Sequence, residues 1–302
     1  MSFAIPKVRV GKPQRHEALS VFPLFSETNG GVKYVLADEA LAEKLLVVEE
    51  VSEGGSVPDL LVENKGDIQV LFIEGEELIG AKQNRILNTS ILVAARSKLK
   101  IPVSCVEQGR WRYKTRQFGS SGSHSPSKLR YALKMSVSRS AREKQGHKSD
   151  QGEVWREVQR QQTVLGARSD STAMSDTFET YQDQLAEFRD RLKYVDGATG
   201  VAVAIGKKVV ALDVFDKPAT CEKVWNRLLS GFMLDALEEA AAGDGAEIAD
   251  VERLITHAVD AEWQQVDPVG EGVEHRAEFD QDHGSALTYD DALVHGSVLA
   301  AV

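Results

Sequence analysis

The chain has 302 residues, a net charge of −10 and 42% apolar residues, the balance of a soluble globular protein with a substantial core. No apolar run approaches the ~20 residues of a membrane span, and the opening MSFAIPKVRVGKP lacks the apolar stretch of a secretory signal. Cys105 and Cys221 are the only cysteines, too few for a disulfide framework or a paired-cysteine metal knuckle, so the expected compartment is cytoplasmic.

Residues 16–25 predict a strand broken at Pro23, Thr28-Asn29-Gly30-Gly31 a turn, and Val32 to Leu36 a second strand. Ala37 to Lys44 suits a short helix and Leu45 to Val51 a strand. Leu60 to Glu63 and Ile68 to Ile73, separated by Asn64-Lys65-Gly66-Asp67, predict a hairpin. The short connections favour antiparallel pairing. Val70 to Ile73 and Ile91 to Ala95 are Val/Ile/Leu-rich and short, as buried strands are. Arg85 to Ala95, taken as one strand, has a more polar face carrying Asn84, Ile86, Asn88 and Ser90. Ile101 to Cys105 is a further strand.

Phe118 to Ser125, FGSSGSHS, predicts a mobile loop. Ser125-Pro126 has the form of a helix N-cap followed by proline. Helical character runs from Pro126 to about Lys144 and from Gly152 to Leu165. A third helix is expected from Ser175 to Lys193, with Phe178, Tyr181, Leu185, Phe188 and Leu192 on one stripe. Ala198 to Ile205 and Lys208 to Phe215 predict strands around Gly206-Lys207. Pro218 opens a helix to about Ala242, and Glu247 to Gln264 is another. The tail alternates as strands from Val273 to Phe279, Ala286 to Tyr289 and Ala292 to Leu299. The fold class expected is α+β: a β-rich part over 1–115, a basic helical insert over 116–196, and an α/β part over 197–302 packed with the first as one composite domain.

Between the apolar runs around 72 and 92 lies a crowd of polar side chains: Glu74, Glu76, Glu77, Lys82, Gln83, Asn84, Arg85 and Asn88. Buried polar groups must find partners, at a cost of roughly 1–3 kcal/mol each when they do not, and such conflicts concentrate at functional sites. Glu74 and Glu76 share a face on a regular strand. They suit an acid–base pair, a divalent cation, or ion pairs with Lys82 and Arg85. Lys82, Gln83, Asn84 and Arg85 offer donors for phosphate and ribose. Trp111, flanked by Arg110 and Arg112, could stack a base, or pack in the core. Cys105 is a candidate nucleophile, although a lone cysteine in an apolar strand is more often inert. Glu107 follows it. Asp213 sits at a strand-to-helix corner suited to a ribose hydroxyl or a cation. The seven histidines form no HxxxH or HxH pair.

From Arg110 to Lys148 eleven Lys/Arg face one acid, Glu143. That block suits an anionic partner, nucleic acid included, or neutralises the protein's own acidic surface.

Two blocks together carry a resemblance. EGEELIGAKQNR (74–85) with PVSCVEQGRW (102–111), and GVAVAIGKKVVALDVFDKPATCEKVWNRLLSGFMLDAL (200–237), resemble the domain family named for its association with ADP-ribosylglycohydrolases and rhodanese–phosphatase proteins. The resemblance implies a role with NAD-derived, ADP-ribose-type compounds. It carries over onto Glu74, Glu76, Lys82, Gln83, Asn84, Arg85, Asn88, Cys105, Glu107, Gly109 and Trp111, and onto Asp213, Phe215, Pro218 and Trp225. The reading that follows is a protein that binds or hydrolyses a nucleotide-like ligand, with Glu74, Glu76, Cys105 and Glu107 as catalytic candidates. Lys82, Gln83, Asn84, Arg85, Asn88, Arg110, Trp111 and Asp213 are the binding candidates, and a divalent cation is an open option. The alternative is a non-catalytic scaffold or sensor whose polar cluster is structural and whose basic insert docks nucleic acid or a protein.

Overall fold

The computed structural model describes residues 5–27, 30–239 and 245–301. The expected turn at 28–29 and the end of the helix at 240–242 lie outside them. Among the described residues the fold is α+β with three sheets, antiparallel but for one pair, in which Tyr34–Leu36 runs parallel to Gln69–Phe72.

The largest sheet joins the two ends of the chain. Val8–Val10, Gln14–His16 and Leu19–Ser26 pair through Leu19–Ser26 with Gly200–Ile205. The sheet continues through Lys208–Phe215, Ala292–Leu299, Asp282–Tyr289, Val273–Phe279 and Gln264–Val266. Pro23 does not break its strand. It falls between the stretches paired with 8–10 and 14–16, where its missing N–H disrupts neither ladder. Among the described residues the helices are α1 (Ala37–Ala42), α2 (Ser127–Arg142), α3 (Gln151–Leu165), α4 (Met174–Thr180), α5 (Gln182–Arg191), α6 (Pro218–Glu238) and α7 (Ile248–Asp260). Helix α7 packs Val251, Leu254 and Ala258 on one face of the large sheet, against Phe22, Leu212 and Val298. Helices α2 and α6 lie in the core on the other, with Leu133, Val137, Leu228 and Phe232 beside Val201 and Phe215. The single helix expected over 175–193 is broken at Tyr181, whose backbone leaves the helical region.

The middle of the β-rich part forms the other two sheets. One is Ile91–Val93, Gln69–Phe72 and Tyr34–Leu36; the other runs Phe118–His124, Glu76–Gly80, Arg85–Leu87, Ser97–Cys105, Asp59–Asn64 and Leu46–Glu50. Three expectations are overturned here. Strands 59–64 and 69–72 are not a hairpin but belong to different sheets. Asn64 redirects the chain between them: its Oδ1 accepts the Gly66 N–H at 2.9 Å while its Nδ2 donates to Ile68 O and Ala94 O. The Gly/Ser stretch 118–124 is a strand, because the edge of Glu76–Gly80 offers it a ladder. Ser125 is not an N-cap; its Oγ donates to Gly75 O at 2.6 Å, and the Asp235 carboxylate instead takes the Ser127 N–H. Among the described residues no helix is long and apolar enough to cross a membrane.

Candidate functional site

The structure divides the sequence-predicted residues between two clusters and leaves Glu76 apart from both. The divider is Gly75. It sits in a turn at φ +85°, and a Cβ there would lie 2.6 Å from His124 Cε1, so this position needs glycine. The turn breaks the regular alternation, and Glu74 and Glu76 do not form a shared carboxylate pair. Glu74 meets Lys134, whereas Glu76 faces Arg227 at 2.7 Å. Burial pushes the Glu76 carboxyl up to about 7, against the pull of Arg227. The expected strand from Arg85 to Ala95 is likewise interrupted, at Asn88-Thr89-Ser90.

The outer cluster gathers Lys82, Gln83, Asn84, Arg85, Cys105, Glu107, Arg110 and Trp111. Strand pairing sets Arg85 opposite Cys105, and the turn at 81–84 carries the other three polar groups. Gln83 ties them together: its Oε1 accepts from Arg85 Nη1 at 2.9 Å and from the Cys105 thiol at 3.2 Å, and its Nε2 donates to Glu107 O. Glu107 takes the Asn84 N–H at 3.0 Å and a fork from Arg110 at 2.8 and 2.7 Å. Burial opposes the Glu107 charge, but Arg110 outweighs it and holds the carboxyl below its usual range. Burial pushes the Cys105 thiol up, beyond what Arg85 can offset. A charged, clamped Glu107 and a protonated Cys105 are poor catalytic groups. Gln151 of α3 seals the other side of Cys105, donating to its carbonyl at 2.8 Å and accepting its N–H at 2.7 Å.

Two features of this cluster are unresolved by its own partners. Glu77 is 1% exposed. Neither of its carboxylate oxygens has a hydrogen-bond partner among the described residues, and burial pushes its carboxyl up to about 8. Arg85 is fully buried, and its Nε and Nη2 have no hydrogen-bond partner. Those two atoms form one edge of the guanidinium, the edge that grips a carboxylate or phosphate with two parallel bonds. Trp111 lies over it, its ring centroid 5.8 Å from the Arg85 Cζ, with the Lys82 ammonium 5.2 Å from the same ring. Glu50 Oε2, also without a partner, adjoins Lys82 and Trp111 around Gly55.

The inner cluster holds Glu74, Asn88 and Asp213, and most of its members escaped the sequence reading. Arg130, Lys134 and Ser138 are spaced i, i+4, i+8 on α2 and all face inward. Arg130 forks onto Asp213 at 2.9 and 2.7 Å. Lys134 donates to Glu74 at 2.8 Å and to Ser285 and Ser297. His295 bridges Asp213 and Ser90, at 3.2 and 2.7 Å, and the Glu74 N–H reaches Ser90 Oγ at 3.0 Å. Glu274 receives Arg276 at 2.7 Å and His147 at 2.8 Å, while Asn88 Nδ2 donates to the His147 carbonyl. Burial pushes Lys134 down to about 8 despite Glu74. Burial also opposes the charges of Glu74 and Asp213, but Lys134 and Arg130 outweigh it and hold both low. The basic spacing on α2, in register with Leu133 and Val137, was the available signal. Read as a charge block, it concealed its inward face.

Among the described residues no group of three or more His, Cys, Asp or Glu side chains is placed to hold a metal ion. A family model, the ARG and Rhodanese-Phosphatase-superfamily-associated Protein domain (ARPP-1), matches residues 7–299, and the chain belongs to that family. No curated protein and no solved structure matches the chain.

Proposed function

We propose that the outer cluster binds an anionic ligand of the ADP-ribose or nucleotide class, with a phosphate on the open edge of Arg85 and the base against Trp111. The observation that carries this reading is the buried guanidinium with two unfilled donors. A cation so placed costs stability unless something completes it. Trp111 is 47% exposed and is the natural cover: it leaves the guanidinium as phosphate enters and stacks on the incoming base. Lys82 supplies the second charge. The family's association with ADP-ribosylglycohydrolase-type proteins agrees with that ligand class, by analogy alone.

Binding, rather than turnover, is what the side chains favour. Glu107 is clamped by Arg110, Cys105 is held as a thiol, and Glu74 and Asp213 are consumed by Lys134 and Arg130. The test is calorimetry and thermal shift with ADP-ribose, NAD and AMP. At a hundredfold excess over Kd, the stabilisation should reach about 2.7 kcal/mol, accompanied by a change in tryptophan emission that Trp111→Phe removes. Arg85→Met should abolish it. An unchanged melting point with all three ligands sinks the proposal.

A further inference from the structure

Residues 110–116, Arg-Trp-Arg-Tyr-Lys-Thr-Arg, form an exposed loop above Arg85. It is nonetheless well fixed. Arg110 donates to Glu107, Ala81 O, Gly80 O and Arg112 O. The Lys114 N–H reaches Ala81 O at 2.9 Å, and Thr115 Oγ1 takes the Ala81 N–H at 3.0 Å and donates to Gln117 O. The close approach depends on Gly80, at φ +119°, where a Cβ would lie 2.4 Å from Thr115 Oγ1.

On this frame two aromatic rings stand in solvent, Trp111 at 47% and Tyr113 at 45%. The Lys82 ammonium lies 5.2 Å from each ring centroid. Arg112, Lys114 and Arg116 are exposed and form no ion pair among the described residues. Elsewhere in the basic block Lys128 pairs with Glu238, Arg130 with Asp213, Lys134 with Glu74 and Arg142 with Glu278, while the exposed Arg139, Lys144 and Lys148 form no ion pair among the described residues and have no exposed tryptophan or tyrosine within two residues of them in the sequence. On a chain of net charge −10, this loop therefore concentrates free positive charge beside exposed rings.

We propose that the ligand is the phosphorylated end of a single-stranded polynucleotide. Bases stack on Trp111 and Tyr113, successive phosphates run along Arg112, Lys114 and Arg116, and the terminal phosphate enters beneath Trp111 onto Arg85. Alternating rings and cations suit a strand whose bases are free, because a duplex hides the faces the rings would stack on. Only a chain end can reach a guanidinium that is fully covered; an internal phosphodiester carries a nucleoside on both sides. This inference rests on the assignment of Arg85 as the phosphate site.

The test is fluorescence anisotropy of a labelled ten-nucleotide oligothymidylate bearing a 5′-phosphate, a 3′-phosphate or neither, with a duplex of the same length as comparison. One phosphorylated end should bind at least tenfold tighter than the unphosphorylated strand, and Arg85→Lys, which keeps the charge and loses the fork, should erase that preference. In the triple variant Arg112→Ser/Lys114→Ser/Arg116→Ser, the slope of log affinity against log salt should flatten by about 2. Circular dichroism of both variants separates lost binding from lost folding. If ADP-ribose binds while strands bind no better than duplex, the polynucleotide inference falls and the nucleotide reading stands. Strands that bind with no preference for a phosphorylated end overturn it as well. If neither ligand class binds, both fall together.

Discussion

The inner and outer clusters bury comparable chemistry and resolve it in opposite ways. Inside, Arg130, Lys134 and Arg276 meet Asp213, Glu74 and Glu274 one for one, with serine and histidine side chains filling further positions. Outside, Arg85 keeps two donors idle and Glu77 has no cationic partner among the described residues. The same residue type behaves accordingly. Glu74, beside Lys134, sits below the usual carboxylate range, whereas Glu77 is pushed up to about 8. The lesson is that burial alone does not mark a binding site. Inside, Glu74 Oε1 and Arg130 Nε also lack a hydrogen bond, but each side chain is held by an opposite charge; what distinguishes the outer cluster is a buried guanidinium with no ion pair among the described residues, next to an exposed ring.

Breaking the inner pairing should have the largest effect. Lys134→Met leaves Glu74 buried and uncompensated, and urea unfolding should show a loss of about 3–5 kcal/mol. Adding Glu74→Gln should recover much of it. A single-variant loss under 1 kcal/mol would make the two clusters equivalent and end the contrast. Glu77→Gln comes next, and its effect depends on pH. The folded carboxyl stays protonated up to about 8, while the unfolded one ionises near 4.5. Its contribution is therefore fully present below about pH 4.5 and is lost as pH rises towards 8. Gln cannot ionise, so between pH 5 and 7 the stability gap should move in the variant's favour by about 2 kcal/mol. A pH-independent gap would mean Glu77 is paired after all. Smallest in stability is Arg85→Met, expected within about 1 kcal/mol of the native protein, because lost bonds to Gln83 are offset by removal of an ill-satisfied charge. Ligand affinity should nevertheless disappear. A cost as large as that of Lys134→Met would identify Arg85 as a structural ion like those inside.

Much of the architecture was legible in the sequence. Alternation and turn residues gave the strands at 200–205, 208–215, 273–279 and 292–299, the second half of 282–289 and the proline start of α6, because these signals are local. Partnership between strands was not legible. Strands 59–64 and 69–72 look like neighbours in a hairpin, yet a side-chain cap by Asn64 sends them to different sheets. Gly/Ser content argued for a loop at 118–124, and an available ladder overrode it. For the site, the motif 82–85 and 105–111 do converge, since Cys105 and Arg85 are paired in register. Glu74 and Glu76 diverge because one glycine turn spoils the period-two pattern. Lys134 and His295 were invisible because their partners lie 60 and 82 residues or more away along the chain.

The grip of Gln151 on Cys105 has a consequence of its own. Strand Ser97–Cys105 loses its neighbour Asp59–Asn64 beyond Pro102, which would leave the peptide groups at Cys105 open to any extended segment that drifts past. Gln151 satisfies both with a single carboxamide, copying what a neighbouring strand would offer. The helix thus closes an edge of the kind that invites pairing with another chain when left uncapped, and replacing that amide should surface first as turbidity on gentle warming.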